Sequence, residues 1–262
     1  MLRLFFHSQL QLGFAQALVA ALSALVVIVL ARRRGIHLES ETVIAMVRGL
    51  VQIIAVGSIL VILLHAPRWT SGILLAAMIV AAGATSARRA KGIPEAFRVS
   101  AWAIAFGAGS IIALMTSLGV IDTAITSLVP VGSMLIANAM NTNSLALNRF
   151  RSDVLAHIGE IETALALGAE ARNSVSPYVQ ASFEASLIPA IDSLRSLGIV
   201  WIPGLMAGML LSGARPVYAA IYQFVVLAMI FASSGLTSLI STMLIRGRVF
   251  SPAEQLLLQP GR

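Results

Sequence analysis

The sequence predicts an all-α integral membrane protein of about seven transmembrane helices, and three observations carry that reading. The first is composition: 58% of the 262 residues are hydrophobic and 11% charged, where a soluble domain carries about 25% charged residues. The second is the recurrence of uncharged runs long enough to cross a bilayer. The third is the placement of arginine, which gathers in alternate loops between those runs.

The uncharged runs fall at about Leu10–Ala31, Gly49–Leu64, Trp69–Ala87, Val99–Ile121, Thr123–Asn148, Ser196–Ala214 and Pro216–Ile245, the second helix starting near Thr42. The N-terminal "MLRLFFHSQLQLGFAQ" lacks a charged n-region and a cleavage site, and reads as the start of the first span. The loops "ARRRGIH", "ARRAKG" and "NRFR" and the tail "IRGR" hold most of the positive charge, whereas the opposite loops hold Arg3, Arg68 and Arg215. The positive-inside rule then puts the N-terminus outside and the C-terminus inside. Between the fifth and sixth runs lies a long polar segment, about 149–195, expected on the cytoplasmic side of a single permease domain spanning 1–262.

Several function classes are excluded or disfavoured. The net charge of +7 is explained by loop arginines, and no basic patch alternates with aromatics, so nucleic acid is not an expected partner. The single lysine, Lys91, follows "ATSARRA", so a phosphate-binding G-x-x-x-x-G-K-[ST] loop is impossible. No G-x-S-x-G elbow or H-E-x-x-H helix occurs, and cysteine is absent. His7, His37, His65 and His157 fall at or beyond span ends, as solvated residues rather than ligands. No carboxylate sits inside an expected span, where an ion-driven carrier needs an ionisable group. The chain reads as a transport subunit and not an enzyme, with no catalytic residue and no cofactor of its own. Energy for uphill movement would come from another polypeptide.

Within the inner segment, Ile158, Ile161 and Leu165 form an apolar stripe with Ala169 near it, while Glu160, Glu162, Glu170 and Arg172 lie elsewhere on the wheel. Helices that lie on anionic lipid are usually basic. An acidic amphipathic helix suits a groove on a partner protein better.

The residues "ETALALGA" place Glu162, Ala164 and Gly168 in a spacing that resembles the coupling helix of ATP-binding-cassette (ABC) permeases, although Ile188 and Pro189 come later than the usual end of that motif. A narrower resemblance is closer. "RGLVQIIAVGSIL", "PVGSMLIANAMNTNSLALNR", "IETALALGA" and "LIPAIDSLRSLGIVWIPGLMAGMLLSGARPVYAAIYQ" are similar, in order and spacing, to the FetB-type permeases, which include bacterial iron-export permeases and plant aluminium-tolerance half-transporters. That resemblance implies a homodimer of permeases in the bacterial inner membrane, working with two separate ATPase subunits that bind ATP and magnesium. It implies export of a metal, iron first, or of a metal complex, by alternating access. The coupling residues would be Ile158, Glu160, Ile161, Glu162, Leu165, Gly168 and Ala169. Alternatives are a stand-alone carrier or channel, and ABC export of a nucleotide-sugar-like or chelated anionic solute.

The stretch "VPVGSMLIANAMNTNSLALNR" supplies the candidate pathway. At about 100° per residue, Met134, Asn138, Asn141, Leu145 and Asn148 share about 80° of arc, with Asn143 pointing elsewhere. These amides either bond to neighbouring helices, at about 0.6 kcal/mol each, or line a path in which Met134, Asn138 and Asn141 hold a cation weakly. Arg48 and Gln52 lie one turn apart on the second span, either at the headgroups or facing the path. In the sixth span, Pro203 predicts a kink, and Gly204 and Gly208 a close helix contact that could serve as a gate, with Met206 near it. Gln223 completes the expected pathway from the last span.

Overall fold

The sequence's long apolar runs become helices, which close their backbone hydrogen bonds within the segment. The structure, a computed structural model, describes residues 9–35, 39–63 and 66–258. His7, His37 and His65 lie outside the described residues. Ten helices are present among those described: α1 (Gln9–Arg33), α2 (Glu39–Leu63), α3 (Trp69–Arg89), α4 (Ala96–Ser117), α5 (Ile125–Ala156), α6 (Ile158–Ala166), α7 (Ala171–Ser174), α8 (Ser176–Ser196), α9 (Gly204–Leu211) and α10 (Pro216–Arg246). The only β features among the described residues are two isolated bridges.

Among the described residues, five helices are long and apolar enough to cross a membrane: Gln11–Arg33, Thr42–Ile59, Trp69–Arg89, Ala96–Ser117 and Pro216–Arg246. They match the first four expected spans and the last. α5, with 32 residues, is long enough, but its asparagine-bearing stripe lowers its hydropathy. The expected sixth span is corrected. Ser196–Ala214 is not one helix: α8 ends at Ser196, a turn follows, and α9 has only 8 residues, about 12 Å of rise.

The chain divides into two units, Met1–Ala66 and Pro67–Arg262. In the first, α1 packs on α2, and apolar residues such as Val27 and Ile53 stay exposed. The second unit holds the core. α10 packs along α4, α5 and α8, and α3 along α4 and α5. Close approach of α4 and α10 depends on Gly107, where a Cβ would fall 2.0 Å from Thr237 Oγ1 and 2.6 Å from the Thr237 amide nitrogen.

One apolar cluster, with Ile104, Leu135, Val226 and Ile230, fills the middle of this bundle. A second, with Val99, Leu147, Phe150, Ile161, Val175 and Ile245, closes the end where α5 and α10 finish and α8 begins. The tail after α10 folds back there, with Leu257 N donating to the Val249 carbonyl at 2.8 Å and Leu258 buried. Arg248 bonds Glu95 at 2.8 Å across the same end.

The 149–195 segment is only partly what its polarity suggests. α5 continues through it to Ala156 and α8 occupies its second half, packed against α5 and α10. α8 runs antiparallel to α10. Ser186 Oγ meets Ser238 Oγ at 2.7 Å, and twenty residues later Met206 meets Gln223, fifteen residues earlier on α10. α9 therefore continues the course of α8, and the two form one broken element.

Candidate functional site

The break between α8 and α9 is set locally by Gly198, at φ +74°, and by Pro203. Gly198 N donates to the Trp201 carbonyl at 3.1 Å, closing a tight turn over 198–201. Pro203, with φ −63° and ψ 149°, is the N-cap of α9. The expected kink at Pro203 is therefore corrected: a new helix starts there, because the turn closed at Gly198 has already ended α8 and a proline ring, with no N–H to place, is readily accommodated at a helix start.

Beside the break lies a cavity of about 320 Å³, within the range of small-ligand sites. Its walls come from four helices and the turn. α5 contributes Met134, Asn138, Asn141, Thr142 and Leu145, α8 contributes Ser186, Pro189 and Ser193, the turn Trp201 and Pro203, α9 Gly204 and Leu205, and α10 Gln223, Leu227 and Ile230. The lining contains no Asp, Glu, His, Lys or Arg, and no cluster of three potential metal ligands occurs among the described residues.

Met134, Asn138 and Asn141 thus share one wall, as their helical phase predicts, while Asn148 does not line it. Asn138 Nδ2 donates to the Met134 carbonyl at 2.8 Å. Asn141 Oδ1 accepts from Arg89 Nη1 at 3.1 Å, tying α5 to the end of α3. Asn143 points the other way. Its Nδ2, fully buried, donates to Ser86 Oγ at 2.7 Å and Ser100 Oγ at 2.9 Å, joining α3, α4 and α5.

Gln223 is 1% exposed. Its Oε1 accepts the Met206 amide at 3.2 Å, while its Nε2 has no partner. Met206 takes part through its backbone and does not line the cavity. Gly204 lines it, but among the described residues of its own unit no atom beyond the local backbone and chain neighbours lies within 4 Å of a Cβ built at Gly204 or Gly208. The close helix contact expected at these glycines is therefore not made among the described residues of the second unit. Arg48 and Gln52 lie on α2, in a shallow exposed depression with Val43, Ile44, Val47 and Val51, and are described with the first unit alone.

The acidic helix is shorter than expected. α6 ends at Ala166, where Gly168 N bonds the Leu165 carbonyl at 3.0 Å and Ala169 N the Ala164 carbonyl at 2.9 Å. This pair of bonds is a Schellman stop, and it explains the glycine, since Gly168 has φ +88°. Ala169 consequently lies beyond the helix and off its apolar face. Ile161 is buried against Val175 and Val249 in the end cluster, with Leu165 packed beside it. Glu160 and Glu162 face outward, Glu160 accepting a bond from Tyr178 at 3.3 Å. Leu167 is 84% exposed at the tip.

Ser186, Ser193, Trp201 and Leu205 escaped the sequence reading. Ser186 and Ser193 fall in a segment whose polarity reads as a loop, and Pro189, read as the late end of a coupling motif, sits inside α8 and lines the cavity. The usable signal was the apolar Leu187, Ile188 and Ile191 among the serines.

The sequence matches the uncharacterised protein family UPF0014 over residues 12–250. It is 31% identical over 253 residues to the UPF0014 membrane protein STAR2 of Oryza sativa subsp. japonica, covering 96% of this chain and 88% of the relative. It is 30% identical over 247 residues to the protein ALUMINUM SENSITIVE 3 of Arabidopsis thaliana, covering 93% and 90%. It is 29% identical over 241 residues to the "Probable iron export permease protein FetB" of Escherichia coli, covering 92% and 93%. No solved structure matches.

Proposed function

The chain belongs to the uncharacterised protein family UPF0014, and from that membership we propose that it is the membrane-spanning permease subunit of an ABC exporter. It moves a metal, or a metal complex, out of the cytoplasm by alternating access, with iron suggested by the name of one relative. In this reading the broken element α8–α9 is the sixth of seven crossings and α5 the fifth. The N-terminus is outside, and α6 with the 249–258 tail lies in the cytoplasm. A non-helical break at membrane depth is tolerated where it lines a cavity, which supports placing the transport path there.

The observation that carries the proposal is α6 itself. It is a separate helix clamped to the bundle end by Ile161, with Glu162 and Leu167 projecting from it. The sequence holds no G-x-x-x-x-G-K-[ST] phosphate-binding loop, so in this reading the energy comes from a partner ATPase, and a projecting element that receives its force is what such a permease needs. A second copy of the permease would complete the assembly. Ile199, Val200 and Leu211, 86%, 79% and 91% exposed, are available to it and to lipid.

The experiment is copurification of the tagged permease with its ATPase. Glu162→Arg combined with Leu167→Asp alters only exposed side chains, so the permease is expected to stay folded while the ATPase is lost. Unchanged copurification overturns the coupling assignment.

A further inference from the structure

We infer that a groove at the end of α10 binds the phosphate headgroup of an anionic phospholipid. The inference needs only that α10 crosses the membrane, and it is independent of the cavity and of the ABC assignment.

α10 has 31 residues, a rise of about 46 Å, enough to cross the hydrocarbon core and reach both headgroup layers. Leu239 and Met243 lie one turn apart on it, 45% and 67% exposed, and Arg246 follows on the same face. A lipid chain lying along Leu239 and Met243 therefore brings its headgroup to Arg246.

There the surface is hollowed into a groove of about 450 Å³, walled by Arg172, Met243, Leu244, Arg246, Gly247 and Arg248. Three guanidinium groups line it and no carboxylate does. Arg246 is held by neutral acceptors, its Nε donating to the Arg172 carbonyl and its Nη2 to Asn173 Oδ1, each at 2.8 Å. Arg248 pairs at 2.8 Å with Glu95, a carboxylate that Arg98 also approaches at 3.6 Å. Arg172 comes from α7 and lies over Gly247, where a Cβ would sit 3.7 Å from its Nη2 and 3.9 Å from its Nε. Its guanidinium has no hydrogen bond or ion pair among the described residues. Glu170 is bonded to Asn173 and does not line the groove.

Simpler roles do not account for this set. The partial negative charge at the end of α10 is answered by one arginine in its last turn, and membrane topology needs arginines only in the right loops. Neither requires a third guanidinium, from another segment, laid unpaired against the same groove. Phosphate oxygens accept the fork of an arginine two at a time, and basic pockets beside membrane helices hold anionic headgroups.

The test is native mass spectrometry of the full chain, delipidated in detergent and titrated with dioleoylphosphatidylglycerol, dioleoylphosphatidylcholine and inorganic phosphate. Phosphatidylglycerol is expected to bind at least about tenfold more tightly than phosphatidylcholine, and excess phosphate to leave it bound. Arg172→Gln is expected to weaken that binding about fivefold, the ratio that one arginine near an anionic headgroup gives. Gly247→Asp, at φ −88°, sets a carboxylate against Arg172 and is expected to weaken it at least as much. It carries the test if the first variant does not fold. Arg88→Gln removes the same charge from an exposed residue in the last turn of α3, outside the groove, and is expected to change binding by less than about twofold. Equal losses in Arg88→Gln and Arg172→Gln overturn the site in favour of diffuse surface charge. Equal binding of the two lipids overturns it as well, and displacement by inorganic phosphate overturns a lipid as its ligand. Unchanged lipid binding in Arg172→Gln, with ATPase copurification lost, reassigns the groove to a protein contact.

Discussion

Gln223 Oε1 accepts the backbone amide of Met206 at 3.2 Å, a side chain of α10 supplying the cap that Pro203 cannot give α9. The bond fixes the start of an 8-residue helix that is too short to be stable alone. Gln223→Leu takes the acceptor from the part-buried Met206 amide and at the same time removes the buried amino group that has no partner. The two effects oppose each other, so a net change within about 1 kcal/mol is expected, read as a nearly unchanged melting temperature in detergent. A large drop would show that the cap on α9 outweighs the stranded amino group.

Asn143 and Asn148 are one and a half turns apart on α5 and should behave oppositely. Asn143→Leu takes a donor from each of the Ser86 and Ser100 hydroxyls, at 2.7 and 2.9 Å, although Ser86 keeps the bond from Ser144 at 3.1 Å. The expected cost is about 1–3 kcal/mol, since the buried Ser100 hydroxyl loses its partner. Asn148→Leu, at an exposed position, should stay within about 0.5 kcal/mol. Equal melting of the two variants would contradict the network.

Gly107→Ala should prevent the α4–α10 contact from forming, because the new methyl meets the Thr237 backbone at 2.6–2.7 Å as well as its hydroxyl. Adding Thr237→Ala removes only the hydroxyl clash, so the double variant is expected to express as poorly as the single one. Rescue would mean that the helices can shift apart.

Gly168 and Gly159 bracket α6 and test its termination. Gly168→Ala forces a Cβ into φ +88° and should destabilise by about 1 kcal/mol. Gly159→Ala has open space and a helical backbone, so it should be neutral or stabilise by up to about 1 kcal/mol. Limited proteolysis across 157–170 would register the difference as faster cleavage in the first variant only.

The sequence by itself determined the class of this protein and much of one wall of its cavity. Long apolar runs with segregated arginines admit few structures other than membrane helices, because backbone bonds must close within each segment. Helical phase then put Met134, Asn138 and Asn141 on one side of α5 and Asn143 on another, since phase is a local property of the backbone. The tertiary structure decided the rest. That α8 belongs to the bundle depends on where its serines find partners, and Ser186 finds Ser238 across 52 residues of chain. That Pro203 begins a helix and does not bend one depends on the turn at Gly198 and on Gln223 arriving from α10. The free amino group of Gln223 exists only because a remote amide claimed the oxygen beside it, and a contact between distant segments leaves no periodic trace along either one.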